Sequence, residues 1–125
     1  MRAKVLVVDD EESIRNFLYD ALYDDYNVVK ASDGAEGIKK ALLDDFAVAL
    51  VDINMPKMNG IDVLKRISRS NDIKIKKLPI IMFTGTVDKD TVEEIVLLGV
   101  NGYLVKPFEI DALLEKVDTF LKTNE

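Results

Sequence analysis

Three acids stand where short apolar runs end. Val5-Leu6-Val7-Val8 leads into Asp9-Asp10, and Ala47-Val48-Ala49-Leu50-Val51 leads into Asp52. A near-continuous aliphatic run is the pattern of a parallel strand buried on both faces. An acid just past it falls at the carboxyl edge of the sheet, where open α/β folds bind their ligands. Two strands delivering three carboxylates to one edge make a metal site, a nucleophile, or both. The chain holds no histidine and no cysteine. That excludes thiol catalysis, disulfides and zinc–thiolate sites, and it removes the commonest general base. A carboxylate cluster of this kind favours a hard cation, Mg²⁺ first, because Mg²⁺ takes few protein ligands and keeps several waters. Without a cation the crowded carboxylates repel and raise one another's pKa. Capping the following helix would use one acid, not three.

Thr84 and Lys106 end two further runs, so parallel strands would gather Asp9, Asp10, Asp52, Thr84 and Lys106 at one rim. Taken singly, a threonine or lysine at a strand end is ordinary surface. Taken together they describe phosphoryl chemistry. A carboxylate beside a divalent cation can attack a phosphoryl group and form a mixed anhydride. Lys106 would add a second positive charge and the Thr84 hydroxyl a hydrogen bond. Pro56 and Gly60 mark an ordered turn after Asp52. The Lys106-Pro107 bond fits either a cis turn or a trans proline opening the last helix.

The elements that must position these residues alternate along the chain. Strands are predicted at Lys4–Val8, Asn27–Lys30, Ala47–Val51, Pro79–Phe83 and Gly102–Val105. Between them, apolar residues recur at helical spacing over Glu12–Asp24, Ala35–Leu43 and Gly60–Ser70. A fourth helix runs through Leu98, capped by Asp88 or Asp90 and closed near Gly99. A fifth starts around Glu109. This alternation implies parallel βαβ units with right-handed crossovers and helices on both faces. Asn71–Lys77 fits less neatly. It reads as a basic, solvated loop, with a docking patch for an acidic partner as the lesser alternative.

One domain of 125 residues is expected, with no repeat or linker. Lys+Arg 17 against Asp+Glu 23 gives a net charge of −6, which argues against binding nucleic acid or an anionic membrane through overall charge. No apolar stretch approaches a membrane span, and the N-terminus lacks a signal-peptide core. A soluble protein of a reducing, cytoplasmic setting is expected.

Val7-Val8-Asp9-Asp10, Val51-Asp52-Ile53-Asn54-Met55-Pro56, Phe83-Thr84-Gly85 and Lys106-Pro107-Phe108 resemble the motifs of bacterial response-regulator receiver domains, in order and at family spacing. The resemblance spans nearly the whole chain. It implies a flavodoxin-like, doubly wound five-stranded parallel sheet of order 2-1-3-4-5 with five helices. That strand order is the one known for this family, so it follows from the resemblance and not from the periodicity of the chain. Asp52 would then take a phosphoryl group from a histidine kinase or a histidine phosphotransfer protein. Asp10 and Asp52 would ligate Mg²⁺ by side chain, Asn54 by its backbone carbonyl and Asp9 through water. Thr84 would turn inward and Tyr103 follow it. Without the resemblance, Tyr103 is an ordinary half-exposed strand aromatic.

The fourth helix carries more apolar surface than one buried face needs. Ile95 and Leu98 suit the core, while Val92, Val96 and Leu97 form an excess. With Lys89 and Tyr103 they would make an output face for a downstream protein target or a phosphorylation-dependent dimer. The chain ends soon after its fifth helix, so a stand-alone regulator without an output domain is expected. A receiver cut from a longer transcription regulator is the alternative. A Mg²⁺-dependent phosphatase with an aspartyl nucleophile is the enzyme rival, but such enzymes usually carry an acid where this chain has Asn54. A flavin site would need a phosphate-cradling loop where Asp9-Asp10-Glu11-Glu12 stands. Asn54 and Thr86 flank the site and are expected to tune hydrolysis.

Overall fold

The computed structural model describes residues 2–85 and 88–123. Thr86, one of the expected tuning residues, lies outside them. The strands are β1 (Lys4–Val8), β2 (Asn27–Ala31), β3 (Val48–Asp52), β4 (Ile80–Thr84) and β5 (Gly102–Val105). The helices are α1 (Glu12–Leu22), α2 (Gly34–Leu43), α3 (Gly60–Ser68), α4 (Ile73–Lys76), α5 (Lys89–Leu97) and α6 (Ile110–Thr123). All strands pair in parallel, in the order β2-β1-β3-β4-β5. The expected flavodoxin-like topology is therefore present.

Alternation along the central strands feeds two separate cores. Val5, Val7, Val48, Leu50, Ile81 and Phe83 pack on Leu18 and Leu22 of α1 and Leu113 and Val117 of α6. Leu6, Val8, Ala49, Val51, Ile80 and Met82 pack on the opposite face with Ala41, Val63, Leu64, Ile67 and Ile95. Every residue of β3 and β4 is buried, whereas none of β5 is. That gradient explains why β3 and β4 read as continuous apolar runs.

Helix entries follow local chemistry. The Asp33 side chain accepts the Glu36 N–H, and Asn59 with Asp62 forms a reciprocal capping box at α3. Asp88, not Asp90, caps α5 by accepting the Asp90 N–H, and the Thr91 hydroxyl donates to it as well. Gly99 has φ +88°, the left-handed geometry that ends a helix.

Two expectations change. Asn71–Lys77 is not a solvated loop throughout: Ile73–Lys76 forms a helical turn capped by Asp72, with Ile75 buried. The helices described therefore number six, where five were expected. The alternating Ile and Lys of this segment hide a helical turn, because one buried isoleucine is enough to hold it. Asp52 and Thr84 are also the last residues of their strands, not the first residues beyond them.

Candidate phosphoryl-acceptor site

β1 and β3 are neighbours, and Val8 lies opposite Val51. Asp9 and Asp52, one residue further on, therefore emerge side by side at the carboxyl edge. One carboxylate oxygen from each of Asp9, Asp10 and Asp52 can be chosen so that all lie within 4.8 Å of one another. Asp9 and Asp52 are 0% and 1% exposed, while Asp10 faces solvent. Helix capping does not account for this grouping: α1 begins after Glu11, with no side-chain cap.

Asp9 is tightly held. Its N–H bonds the Ala31 carbonyl at 3.2 Å, and its Oδ1 accepts the Glu11 N–H at 2.9 Å. The Arg15 guanidinium donates to its backbone carbonyl at 2.7 Å. Arg15 is a positioning residue that sequence reasoning misses. A cation one turn into the helix after an acid pair is the available signal. Asp9 Oδ2, by contrast, is buried with no hydrogen-bond partner. Lys106 Nζ lies 3.9 Å away, close enough for attraction but too far for a hydrogen bond. Burial pushes the Asp9 carboxyl up to about 6, and the neighbouring Asp52 and Asp10 charges add to the rise. The Glu11 hydrogen bond and Lys106 offset part of it.

Lys106 comes from the far side of the site. Its N–H bonds the Thr84 carbonyl at 2.7 Å, one residue past the end of β5. Its Nζ reaches Asp52 Oδ2 at 3.2 Å and sits 5.3 Å from the Phe83 ring centroid, so the ammonium rests between a carboxylate and an aromatic face. The Lys106-Pro107 bond is cis.

Asp52 Oδ1 accepts the Asn54 N–H at 3.2 Å. The chain then turns back through Lys57, at φ 65°, and the Gly60 N–H bonds the Ile53 carbonyl at 2.9 Å. A Cβ on Gly60 would come within 2.4 Å of the Asp52 carbonyl oxygen. Glycine is what lets α3 begin against the end of β3, a requirement that a loop glycine alone does not reveal.

Thr84 is buried at the end of β4, and a shallow pocket of about 400 Å³ beside it is lined by Asn54, Met55, Asn59 and Thr91 as well. Tyr103 pairs with Met82 and Val105 with Thr84. By alternation Thr84 and Tyr103 therefore share one sheet face. Tyr103 is 36% exposed. On α5, Val92 is half-buried, Lys89 exposed, and Val96 and Leu97 are 57% and 86% exposed. The structure thus gathers Asp9, Asp10, Asp52 and Lys106 directly, sets Thr84 and Asn54 along one wall, and leaves Tyr103 on β5 and Lys89, Val92 and Val96 on α5 outside that cluster.

Residues 5–118 match the family model for the response regulator receiver domain. The chemotaxis protein CheY1 of Helicobacter pylori is 39% identical over 127 aligned positions, covering 98% of this chain and 99% of that one. Chemotaxis protein CheY-3 of Vibrio cholerae is 38% identical over 117 positions, covering 92% and 88% respectively. The crystal structure of Vibrio cholerae CheY4 matches with a TM-score of 0.89 at 37% identity, over 97% of this chain and 100% of that one. Among the described residues no helix is long and apolar enough to cross a membrane. Sequence motifs, sheet order and the clustered acids lead to the same conclusion: this chain belongs to the response-regulator receiver-domain family.

Proposed function

We propose that residues 1–125 form a single receiver domain that works as a phosphorylation-controlled switch, with Asp52 as the acceptor. The observation that carries this reading is the buried pair Asp9–Asp52, with Asp9 Oδ2 unbonded and Lys106 Nζ 3.2 Å from Asp52. A buried carboxylate oxygen lacking a hydrogen bond is costly unless something else arrives to satisfy it. The all-oxygen donor set fits Mg²⁺: Asp9, Asp10 and Asp52 with the Asn54 backbone carbonyl would hold it. When bound, the cation would supply charge neutralisation for incoming phosphoryl oxygens.

The chain's own residues account for the rest. An Asp52 carboxylate oxygen attacks the phosphorus of a partner's phosphohistidine. A P–O bond forms and the P–N bond breaks, and the imidazole keeps the electron pair and takes a proton from solvent. The donor histidine must come from a histidine kinase or phosphotransfer protein, because this chain has none. Lys106 pairs with the added charge, and the Thr84 hydroxyl donates to a phosphoryl oxygen. Water attack on phosphorus later releases phosphate and restores Asp52. The chain is thus a switch and not a turnover enzyme.

Added charge at the rim biases Thr84, and Tyr103 on the same sheet face transmits the change to Lys89, Val92 and Val96. The output is altered binding to a downstream protein, or pairing with a second phosphorylated copy. The protein acts in the cytoplasm, and Asn54 and Thr86 tune phosphoryl lifetime. Incubation with acetyl phosphate and Mg²⁺ tests the acceptor. One base-labile phosphoryl group per chain, absent from Asp52→Asn and absent with chelator, is expected. Incorporation that survives Asp52→Asn would overturn the assignment. Steady release of phosphate from small phosphoesters would favour a phosphatase.

A further inference from the structure

The cations of this acidic chain are not spread evenly. The thirteen residues from Lys65 to Lys77 carry six of the 17 Lys and Arg and one of the 23 Asp and Glu. A local charge of +5 thus sits on a chain whose total is −6. Two of the six are neutralised across elements: Lys65 lies 3.6 Å from Glu94 and Lys74 lies 3.2 Å from Asp45. Arg66, Arg69, Lys76 and Lys77 are exposed and make no ion pair among the described residues.

Arg66 and Arg69, with the paired Lys65, line an apolar groove between α2 and α3, closed at one end by α4. It measures about 350 Å³, and its floor is Ile38, Leu42, Ile67 and Ile75 with Arg66 and Arg69 on its wall. Leu42 in the groove is 47% exposed, and Leu43 at the end of α2 and Ile73 at the start of α4 are 74% and 69% exposed. Apolar surface of this extent beside uncompensated cations is the complement of an acidic amphipathic segment.

We propose that this groove docks an acidic, amphipathic segment of a partner protein, with one or two large apolar side chains on Ile38, Leu42 and Ile75 and its carboxylates on Arg66 and Arg69. Charge complementarity selects the occupant. The recessed apolar floor calls for side-chain anchors that a polyanion lacks, and the acidic remainder of the chain repels an extended anionic surface. The groove lies toward the C-terminal end of α3, whose first residue abuts Asp52. Six residues of helix, about 9 Å, separate Gly60 from Arg66 in the groove wall. The described elements between them are packed and capped, so docking here is independent of the phosphorylation state.

The test uses the full chain and a fluorescein-labelled synthetic peptide with Leu and Phe at helical i, i+3 and i, i+4 spacing in a Glu/Asp background. A control peptide carries Ser at the anchor positions. Amide chemical-shift changes confined to Ile38, Leu42, Arg66, Arg69 and Ile75 are expected. Binding should weaken at least about tenfold in R66E/R69E, fall as salt rises, and stay equal with and without beryllofluoride. The exposed arginines leave the core intact, which the dispersion of the same spectra verifies. Equal binding of the Ser peptide would mean charge alone and overturn the proposal. So would shifts on another face, absence of binding, binding to phosphatidylserine vesicles that the peptide does not displace, or self-association abolished by the same variant. Failure of Asp52 phosphorylation would leave this proposal standing, because nothing in it depends on Asp52.

Discussion

The centre of the sheet and its β5 edge are built to different tolerances. At the centre, β3 and β4 are buried throughout, and they end in Asp52 and Thr84. Asp9 is enclosed completely, with one oxygen bonded to a backbone N–H and the other unbonded. At the edge, β5 contains no buried residue, and α5 places a single buried residue, Ile95, against the sheet. A charge can be set with accuracy only where surrounding atoms cannot yield. A conformational response needs an element that can. On the proposed reading, the first carries the chemistry and the second reports it.

Paired glycines give the sharpest test of that contrast. A Cβ on Gly60 would stand 2.4 Å from the Asp52 carbonyl oxygen and 2.8 Å from Ile53 Cα, both backbone atoms. The nearest atoms to a Cβ on Gly102 would be side-chain atoms, the Phe120 ring at 3.6 Å and Lys116 at 3.7 Å, both in ordinary contact. Gly60→Ala should cost about 3 kcal/mol in denaturant unfolding and reduce phosphoryl incorporation, whereas Gly102→Ala should stay within about 0.5 kcal/mol. Equal costs would erase the distinction between centre and edge.

Asp9→Asn comes next. It removes a buried, like-charged carboxylate, so the metal-free protein should gain about 1 kcal/mol while Mg²⁺ affinity falls about tenfold or more. Chemical denaturation and Mg²⁺ titration separate the two effects. Loss of stability in the metal-free variant would mean that the charge is better compensated than its surroundings show.

The same group gives an unusual pH dependence. Folding raises the Asp9 carboxyl from 3.8 to about 6, so between those values the folded state binds the extra proton. Its contribution to stability is complete below about pH 4 and is lost as pH rises through about 6. This is opposite in sign to a carboxylate held by a salt bridge. Metal-free protein should therefore gain stability from this group between pH 7 and pH 5, a component missing in Asp9→Asn. Mg²⁺ should bind more weakly over the same range, because proton and cation compete for one carboxylate. A pH profile identical in the two proteins would contradict the raised pKa.

At the edge, Val96→Lys should change stability by less than about 0.5 kcal/mol and leave phosphoryl incorporation unaltered, because Val96 is 57% exposed. Its effect is expected in partner affinity alone. Unchanged affinity for a phosphorylation-dependent partner would remove α5 from the output face.

Much of the fold is legible in the sequence because buried parallel strands carry their signal in local composition. Lys4–Val8 and Gly102–Val105 agree with the sequence reading at both ends. β3 and β4 are displaced by one residue: pairing of Asp52 with Phe83 holds the acid inside the ladder, where its polarity alone would place it outside. The α4 turn escapes a sequence reading because its single buried residue, Ile75, leaves no periodic pattern to read. Arg15 escapes for another reason. Its partner is the Asp9 backbone carbonyl, which no residue type announces.

The sequence by itself determined the chemistry on offer: carboxylates, a hydroxyl and a lysine at strand ends, with no histidine or cysteine to compete. It also determined the alternation of strands and helices, since both hydrophobic periods are local. Only the tertiary structure decided how the three acids differ. Burial and the proximity of Lys106 depend on which strands become neighbours. Those contacts leave one oxygen of Asp9 unbonded, place Lys106 at 3.2 Å from Asp52 and leave Asp10 in solvent. They also join residues 38, 42, 66, 69 and 75 into one groove, because helix packing brings together side chains that the sequence keeps apart.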